Sequence, residues 1–340
     1  METETKMNTE IKTDSDTAME LSLFQERFRK IAREINRVFV GHEELVTDLL
    51  VSLTAGGHIL LEGVPGLGKT LLARTLAETL DLQFSRIQFT PDLMPADITG
   101  AMQLLENEKG LPELLFRPGP LMANFVLADE INRTTPKTQS ALLEAMQEHQ
   151  ITAGEKTLFL PEPFTVIATQ NPIEQDGTYP LPEAELDRFL MKLLLKYPEE
   201  EEYGKILDLT TGTEEYRVSV VCSGDELLQM RRTLRKVLAE KSVSSYAVRL
   251  VMATQPDSRH ATKTTHKYLL RGAGPRAAQG LVLAAKAHAL LDGRTAISAG
   301  DIRKACLPVM RHRISLNYSA RAERITPDEI LGHLLSEIGE

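Results

Sequence analysis

The stretch that decides the fold is Gly63-Val64-Pro65-Gly66-Leu67-Gly68-Lys69-Thr70. It satisfies the pattern G-x-x-x-x-G-K-[ST], in which glycines let the backbone take unusual dihedrals and approach phosphate groups closely. Backbone N–H groups and the N-terminus of the following helix then form an anion cradle. The stretch therefore predicts a nucleoside triphosphate site, with Lys69 at the outer phosphates and Thr70 on Mg²⁺.

The flanking sequence supplies the context that such a loop needs. The short, mostly apolar run His58–Leu61 predicts a buried strand, and Leu71–Leu80 has apolar residues at helical spacing. A strand before the loop and a helix after it favour a phosphate loop over a Gly-rich turn that happens to precede a lysine. The residues predicted to contact the nucleotide are Gly63, Val64, Pro65, Gly66, Leu67, Gly68, Lys69, Thr70 and Leu71.

Composition excludes several classes of protein. The chain has 340 residues, 42% hydrophobic and 26% charged, which is typical of a soluble globular protein with two domains. The net charge of -9 argues against a general nucleic-acid binder, although a local basic channel stays open. Only two cysteines are present, Cys222 and Cys306, far apart and without C-x-x-C spacing, so neither a disulfide framework nor a zinc site is supported and a reducing cytoplasm fits best.

No membrane or export segment is evident in the sequence. No run approaches the ~18 consecutive apolar residues that a membrane span requires, and the N-terminus lacks a basic-then-apolar signal pattern. Residues 1–18 are polar with few apolar anchors, which predicts a disordered tail. We therefore expect a cytoplasmic protein without a membrane span.

Strand-like and helical runs alternate in the first part of the chain, which predicts an α/β fold with a parallel sheet and helices on both faces. The strand-like runs are His58–Leu61, Gln83–Phe89, Phe125–Ala128, Phe164–Thr169 and Phe189–Leu195. We place this domain at residues 19–197, where a helix from Leu21 and a second from Glu43 to Thr54 precede the sheet.

After Tyr197 the pattern changes, and a smaller, mainly helical lid domain is predicted at residues 198–340. It opens with Pro198 and the acidic run Glu199–Glu202, which is typical of a solvated helix start. The helical patterns cover Leu227–Leu238, Ala247–Thr254, Pro275–Leu291 and Ala299–Met310. Val218–Cys222 and Ala296–Ser298 are short strand-like pieces.

Two carboxylates follow the apolar run Phe125–Ala128, at the end of a strand where open α/β sheets place ligands. Adjacent strand residues point to opposite faces, so Asp129 and Glu130 are expected to have different roles. Asp129 suits the Mg²⁺ shell shared with Thr70, and Glu130 suits polarising an attacking water. Without the phosphate loop, the same pair would equally fit a surface turn.

Three further residues could assist the chemistry. Asn171 follows the strand Phe164–Thr169 and could orient the water, or it could simply end the strand in an Asn-Pro turn. Arg188 could stabilise the transition state, while a salt bridge to the nearby Asp187 or Glu185 is the alternative. Arg276 follows Pro275 at a predicted helix start and could point at phosphate across the domain cleft, or it could be an ordinary surface residue.

The order of these elements resembles the MoxR family of AAA+ ATPases over roughly residues 20–335. Three runs carry the resemblance beyond the phosphate loop, namely Asp129–Glu148 (DEINRTTPKTQSALLEAMQE), Ala168–Pro172 (ATQNP) and Gly177–Phe189 (GTYPLPEAELDRF). The resemblance implies an AAA+ sheet domain with a helical lid, and an Mg²⁺-dependent ATPase that converts ATP and water to ADP and phosphate.

The resemblance also implies roles for particular residues. Asn171 is similar to the first sensor, Arg188 to the arginine finger and Arg276 to the second sensor in the lid. Val40 and Gly41 resemble the segment that lines the adenine pocket. Because an arginine finger completes the site of a neighbouring subunit, the resemblance implies a homo-oligomeric ring, most plausibly a hexamer.

Two segments resemble insertions of this family, although both could also be ordinary surface loops. Thr90–Gly100, continuing to about Pro120, is similar to an insertion that faces the centre of the ring. Gln150–Leu160 has alternating apolar positions around Gly154, which predicts a hairpin. One departure is Gly274, which stands where a serine is expected and offers no side-chain oxygen to cap the helix.

The function that the resemblance implies is a chaperone-like remodeller of protein clients, acting in complex assembly or metal-cofactor insertion. A von Willebrand factor A domain protein, on a separate chain, is the implied partner. One alternative is a nucleic-acid translocating motor, which the acidic balance and the lack of a basic stripe interleaved with aromatics oppose. Another is a chelatase-type motor subunit for metal insertion into a tetrapyrrole.

Overall fold

The computed structural model describes residues 2–106, 112–153, 156–172, 177–212 and 217–339, with the side chains of the first helix described from Ala18 onward. The strands are β1 Ile59–Glu62, β2 Phe84–Gln88, β3 Gly100–Glu106, β4 Pro112–Pro118, β5 Phe125–Asp129, β6 Gln150–Ala153, β7 Lys156–Phe159, β8 Thr165–Gln170, β9 Met191–Leu194, β10 Leu269–Arg271 and β11 Ser315–Leu316.

The helices include short and long elements in both domains. They are α1 Glu2–Val38, α2 Glu43–Ala55, α3 Lys69–Thr79, α4 Pro95–Thr99, α5 Pro136–Glu148, α6 Glu183–Leu186, α7 Glu200–Thr211, α8 Gly224–Lys236, α9 Lys241–Ala253, α10 Lys263–Tyr268, α11 Pro275–Leu291, α12 Ala299–Met310, α13 Tyr318–Ala322 and α14 Pro327–Glu337, and a 3-10 turn covers Ile131–Arg133.

The central sheet has the strand order β2-β5-β8-β1-β9, and its pairings are parallel. Each of the predicted strands of the first domain is present in it, so the α/β prediction is confirmed. The strands read as continuous apolar runs because both faces of a parallel sheet are covered. In β5, for example, every residue from Phe125 to Asp129 is buried.

Two hydrophobic cores cover the faces of this sheet. One contains the apolar sides of α1, α2 and α3 together with the lid helices α8, α9, α11 and α12. The other contains α5 and the segment around β3 and β4. The first core is a single spatial cluster whose members come from both domains, from Phe24 in α1 to Leu334 in α14. The lid therefore packs directly on the sheet domain and its helices.

The lid is mainly helical, as predicted, and α11 and α12 have the predicted bounds. Pro275 occupies the first turn of α11, and Ser298 caps α12 by accepting a hydrogen bond from the N–H of Asp301. The acidic run also starts a helix, because Glu199 is the N-cap of α7. The bounds assigned to the two domains stay a prediction.

Two short strand predictions in the lid are wrong. Among the described residues of Val218–Cys222, the N–H groups of Val221 and Cys222 donate to the Thr79 carbonyl at the end of α3 instead of joining a sheet. Ala296 forms one isolated bridge with Leu238. The first segment thus bonds the end of a helix, and the second bonds a single residue, so neither forms a strand.

The predicted hairpin at Gln150–Leu160 is confirmed, since β6 and β7 pair antiparallel, while Gly154 lies outside the described residues. The other insertion-like segment contains α4 and the antiparallel pair β3–β4. The disordered tail predicted for residues 1–18 stays a prediction, because the side chains before Ala18 lie outside the description. Among the residues that the structure describes, no helix is both long enough and apolar enough to cross a bilayer.

Candidate nucleotide-binding site

The phosphate loop connects the carboxyl end of β1 to the first turn of α3. Gly66 and Gly68 have φ values of +87° and +79°, in the left-handed region that favours glycine. Gly68 precedes α3 and has no side chain to cap its first N–H groups, and a helix N-terminus of this kind suits an anion. The loop therefore has the backbone geometry that the sequence predicts for a phosphate cradle.

Lys69 stabilises this loop from inside. Its side chain is buried, and Nζ donates a hydrogen bond to the carbonyl of Gly63 at 2.5 Å. The ammonium thus lies within the turn of the loop, where backbone N–H groups also converge. Thr70 follows in the first turn of α3 and is half-buried.

Asp129 lies in a row of residues that crosses the carboxyl end of the sheet. In the strand register it pairs with Gln88 of β2, and Thr169 of β8 is the next position beyond the Ala128–Ala168 pair. The Thr169 hydroxyl donates to Asp129 Oδ1 at 2.6 Å, and Arg86 Nη2 donates to Oδ2 at 2.7 Å. The carboxylate is therefore buried, oriented and charge-paired.

Glu130 leaves the strand in a left-handed conformation, with φ of +58°. Its backbone N–H donates to the Thr169 hydroxyl at 2.8 Å, and Oε2 accepts hydrogen bonds from Gln88 Nε2 and Arg133 Nη1, both at 2.9 Å. Thr169 bonds the carboxylate of Asp129 but only the backbone N–H of Glu130, and the two carboxylates have different partners. Their environments therefore differ, but the cause is the left-handed turn at Glu130 and not strand alternation, because β5 ends at Asp129.

Sequence reasoning missed Arg86, Gln88 and Thr169. Arg86 and Gln88 point to the same side of β2 because they are two residues apart. This alternation is visible in the sequence, but their partners on β5 are set by the pairing of strands that are distant in the chain. Thr169 was available as the hydroxyl residue two positions before Asn171.

Asn171 directly follows β8 and is buried. The phosphate loop, Asp129, Glu130 and Asn171 thus come together at the carboxyl end of the sheet, following the neighbouring strands β1, β5 and β8. Carboxylate and hydroxyl oxygens are the ligands that Mg²⁺ prefers, so Thr70 and Asp129 fit such an ion beside bound phosphates. Asp129 would exchange the Arg86 guanidinium for that contact.

A cavity of about 440 Å³ adjoins the phosphate loop. Its lining includes Phe39, Val40, Leu67, Tyr197 and Tyr203, so it is aromatic and apolar next to the Gly66–Gly68 backbone. These properties suit a purine base attached to phosphates that occupy the loop. Val40 lies in the wall of this cavity, and its role as an adenine-pocket residue stays a prediction.

Gly41 lines a neighbouring cavity of about 750 Å³, which shares Val40 and His42 with the first. Its φ is +88°, and an added Cβ would lie 2.4 Å from Cδ of Glu202. The positive φ favours glycine here, and a larger residue would also displace the carboxyl end of the Glu202 side chain. Gly41 shapes the wall between the lid and the cavity that adjoins the loop.

Arg188 and Arg276 lie at the opposite, amino end of the sheet. They line a cavity of about 240 Å³ together with Gly57 and His58, which immediately precede β1. The four residues of β1 separate this cavity from the phosphate loop by roughly 13 Å at the usual strand rise. The structure therefore does not bring these two arginines to the phosphate loop of their own chain.

The local contacts of Arg188 differ from the salt bridge considered above. Its Nη1 donates to the Leu143 carbonyl of α5 at 2.6 Å. Asp187 instead accepts from Arg313 Nε at 2.7 Å, and Glu185 accepts from Ser140 Oγ at 3.1 Å. Arg188 is half-buried, and Arg276 is exposed at the start of α11.

His58 forms the inner wall of this cavity and is a structural histidine. Burial lowers its pKa to about 4, which keeps the ring neutral. Nδ1 accepts from the N–H of Val166 at 3.0 Å, so the Nε2–H donates to the Met146 carbonyl at 3.0 Å. The ring joins β1, β8 and the end of α5.

Similar proteins agree with this architecture. Residues 58–191 match the ATPase family associated with various cellular activities (AAA), and residues 261–334 match the AAA lid domain. Chaperone MoxR1 of Mycobacterium tuberculosis is 41% identical over 305 residues, covering 90% of this chain and 80% of that protein. Protein MoxR of Paracoccus denitrificans is 31% identical over 327 residues, covering 90% and 94%.

A solved structure is similar over nearly the whole chain. The crystal structure of a Cytophaga hutchinsonii protein assigned as an ATPase superposes with a TM-score of 0.88 at 41% identity, covering 97% of this chain and 98% of that one. The sheet order, phosphate loop and carboxylate pair define an AAA+ ATPase with a helical lid. The similarity to the named relatives narrows this class, and the chain belongs to the MoxR family of AAA+ ATPases.

Proposed function

We propose that the chain hydrolyses ATP in a homo-oligomeric ring, most plausibly a hexamer, in which each site combines the carboxyl end of one sheet with the amino end of the next. The observation that carries this proposal is the separation of the predicted site residues. The phosphate loop, Asp129, Glu130 and Asn171 lie at one end, and Arg188 and Arg276 line a cavity at the other.

Within one chain, the carboxyl end has the residues that hold and prepare the reactants. The loop backbone and Lys69 bind the phosphates, and the Glu130 carboxylate is oriented by the hydrogen bonds that it accepts from Gln88 and Arg133. Asn171 orients the attacking water. When bound, Mg²⁺ neutralises phosphate charge, and Thr70 and Asp129 would hold it.

The neighbouring chain contributes the two arginines. Positive charge at the transferred phosphate stabilises phosphoryl transfer, and an arginine supplied by another subunit is an effective source. Arg276 was expected to act as a second sensor within its own site. Its position beside Arg188 favours action on the neighbour instead, so we assign both residues to the site of the next subunit.

Mixed rings test this arrangement. A Lys69→Ala chain cannot bind nucleotide but keeps Arg188, whereas an Arg188→Ala chain binds nucleotide but lacks the finger. Each variant alone should be inactive, and co-assembled rings should regain ATPase activity where an intact loop faces an intact finger. Rings shown to be mixed that stay inactive would count against the proposal.

We also propose that the ring remodels protein clients in the cytoplasm, in complex assembly or metal-cofactor insertion, with a separate von Willebrand factor A domain protein as partner. The relative from Mycobacterium tuberculosis is named a chaperone, which supports proteins as the clients of this ring. The test adds a candidate partner of that domain type, or duplex or single-stranded DNA, to the purified ATPase. Stimulation by the partner supports this role, and strong salt-dependent stimulation by DNA alone overturns it.

A further inference from the structure

The segment Arg311–Arg313, directly after α12 of the lid, bonds the loop that contains Arg188. Arg311 Nη1 donates to the Lys192 carbonyl at 3.0 Å. His312 Nε2 is 3.0 Å from the Phe189 carbonyl. Sequence reasoning did not single out this segment, because its partners lie more than a hundred residues earlier in the chain.

Arg313 makes most of these contacts. Its Nε donates to Asp187 Oδ1 at 2.7 Å, Nη2 to the Phe189 carbonyl at 2.6 Å, and Nη1 to the Leu190 carbonyl at 3.0 Å. Nη1 also bonds the carbonyl of Val309, within the lid. The contacts therefore reach both sides of Arg188 and fix the backbone from which its side chain projects.

Because the Arg313 guanidinium is buried, its hydrogen bonds must be well oriented. The Arg313 side chain is only 3% exposed, and that of Asp187 is 28% exposed. A buried guanidinium is costly unless nearly all its donors are bonded, and a lysine cannot reproduce a planar fork with separate bonds to a carboxylate and to the carbonyls of Phe189, Leu190 and Val309. The loop position is thus tied to the position of the lid through one side chain.

We propose that Arg313 is a positioning residue that holds the Arg188 loop to the lid and so sets the pose in which Arg188 reaches the neighbouring subunit. This proposal rests on the proposed function, in which Arg188 serves the next site. It makes the lid of one subunit a determinant of hydrolysis in the adjacent one. No described hydrogen bond of Arg313 reaches the phosphate loop, Asp129 or Glu130 of its own chain.

The experiment uses the two chains of the mixed-ring test, called the donor chain (Lys69→Ala) and the acceptor chain (Arg188→Ala). Arg313→Lys is placed first in the donor and then in the acceptor. In the donor, recovered ATPase activity should fall roughly 10- to 100-fold, because the finger is misplaced. In the acceptor, whose finger is already absent, recovery should stay within twofold of the reference pair.

A control for replacing a carboxylate-paired arginine of the lid is Arg294→Lys in the donor chain. Arg294 is 38% exposed and donates to Asp301 Oδ1 at 2.7 Å and Oδ2 at 2.8 Å, and its described side-chain partners all belong to the lid. Recovery should be retained with this variant. Asp187→Asn in the donor is the second variant, because it weakens the same contact at a less buried residue and should also lower recovery.

The outcomes separate the two proposals. If the reference pair recovers no ATPase activity, the shared site is rejected, and the proposed role of Arg313 is rejected as well. A purely structural role for Arg313 would be shown if the reference pair recovers activity and Arg313→Lys lowers that recovery equally in the donor and in the acceptor. In that case, Asp187→Asn in the donor would also cause no specific loss. Full recovery with Arg313→Lys in the donor overturns the positioning role and leaves the shared site intact.

Discussion

The two ends of the central sheet are built in different ways. At the carboxyl end, the phosphate loop and the Asp129–Glu130 pair come from short, contiguous runs of sequence, and their contacts stay within the sheet domain. At the amino end, Arg188 and Arg276 come from separate domains, and the loop that contains Arg188 is bonded to a lid segment.

This difference indicates how the work is divided. The carboxyl end can bind a nucleotide with the residues of one chain, because loop, carboxylates and base cavity are all present there. The amino end has cationic groups but no phosphate loop beside it. A ring in which one end faces the other would place the lid in a position to control the neighbour's chemistry.

The largest effect should come from Glu130→Gln at the carboxyl end. The amide cannot polarise water as a carboxylate does, so turnover should fall about 10²- to 10⁴-fold. Nucleotide affinity should change little, since the loop is untouched. Phosphate release and equilibrium binding of a fluorescent ATP analogue measure the two properties, and retained turnover would remove Glu130 from its role.

At the amino end, Arg276→Ala should lower turnover by roughly 10²-fold, because one cation is lost at the neighbour's phosphates. Gln279→Ala is the control, since Gln279 lines the same cavity without a charge. In rings mixed with Lys69→Ala chains, activity should recover. If Arg276→Ala chains stay inactive in such rings, Arg276 acts within its own subunit.

The next prediction concerns Asp48, which lines the large cavity near Val40 and Gly41. Burial raises the pKa of this carboxyl from 3.8 to about 6, with Arg311 opposing the shift. A raised carboxyl pKa makes the folded state hold its proton more tightly than the unfolded state. Stability contributed by the protonated form is therefore lost as pH rises from about 4 to above 6.

Asp48→Asn removes this penalty. It should raise the free energy of unfolding by about 1–3 kcal/mol at pH 8 and by almost nothing at pH 4. Urea unfolding at both pH values measures the difference, with the exposed Asp208→Asn as the control. A stabilisation that is the same at pH 4 and pH 8 would contradict the assignment.

The smallest effect is expected from Arg86→Gln. Arg86 pairs with Asp129 at 2.7 Å, but its side chain is 45% exposed, so the pair is worth at most about 1 kcal/mol. Without the competing cation, half-maximal ATPase activity should require up to about fivefold less Mg²⁺. A Mg²⁺ titration of both proteins tests this, and a higher requirement in the variant would mean that Arg86 assists the metal site.

Local sequence was sufficient for much of the fold. Short apolar runs such as Phe125–Ala128 favour buried strands because they are too short for a typical helix, and the pattern of the phosphate loop predicts a strand before it and a helix after it. Pro275 and Ser298 mark the starts of α11 and α12, because proline suits the first turn and serine caps its N–H groups.

The remaining contacts of the site depend on residues that are distant in the sequence. Arg86 meets Asp129 only because β2 lies beside β5, and Arg313 meets Asp187 only because the lid packs on the sheet. The end of the sheet at which Arg276 lies depends on how the lid packs against α1 and α2. No local pattern encodes that packing direction.

The most direct test of the shared site is the ATPase rate per chain of the unmodified protein, measured over a dilution series together with its oligomeric state by mass photometry. The rate per chain should follow the fraction of chains in rings and vanish where only single chains remain. A constant rate per chain, down to concentrations at which every particle is a single chain, would contradict a site that needs two subunits.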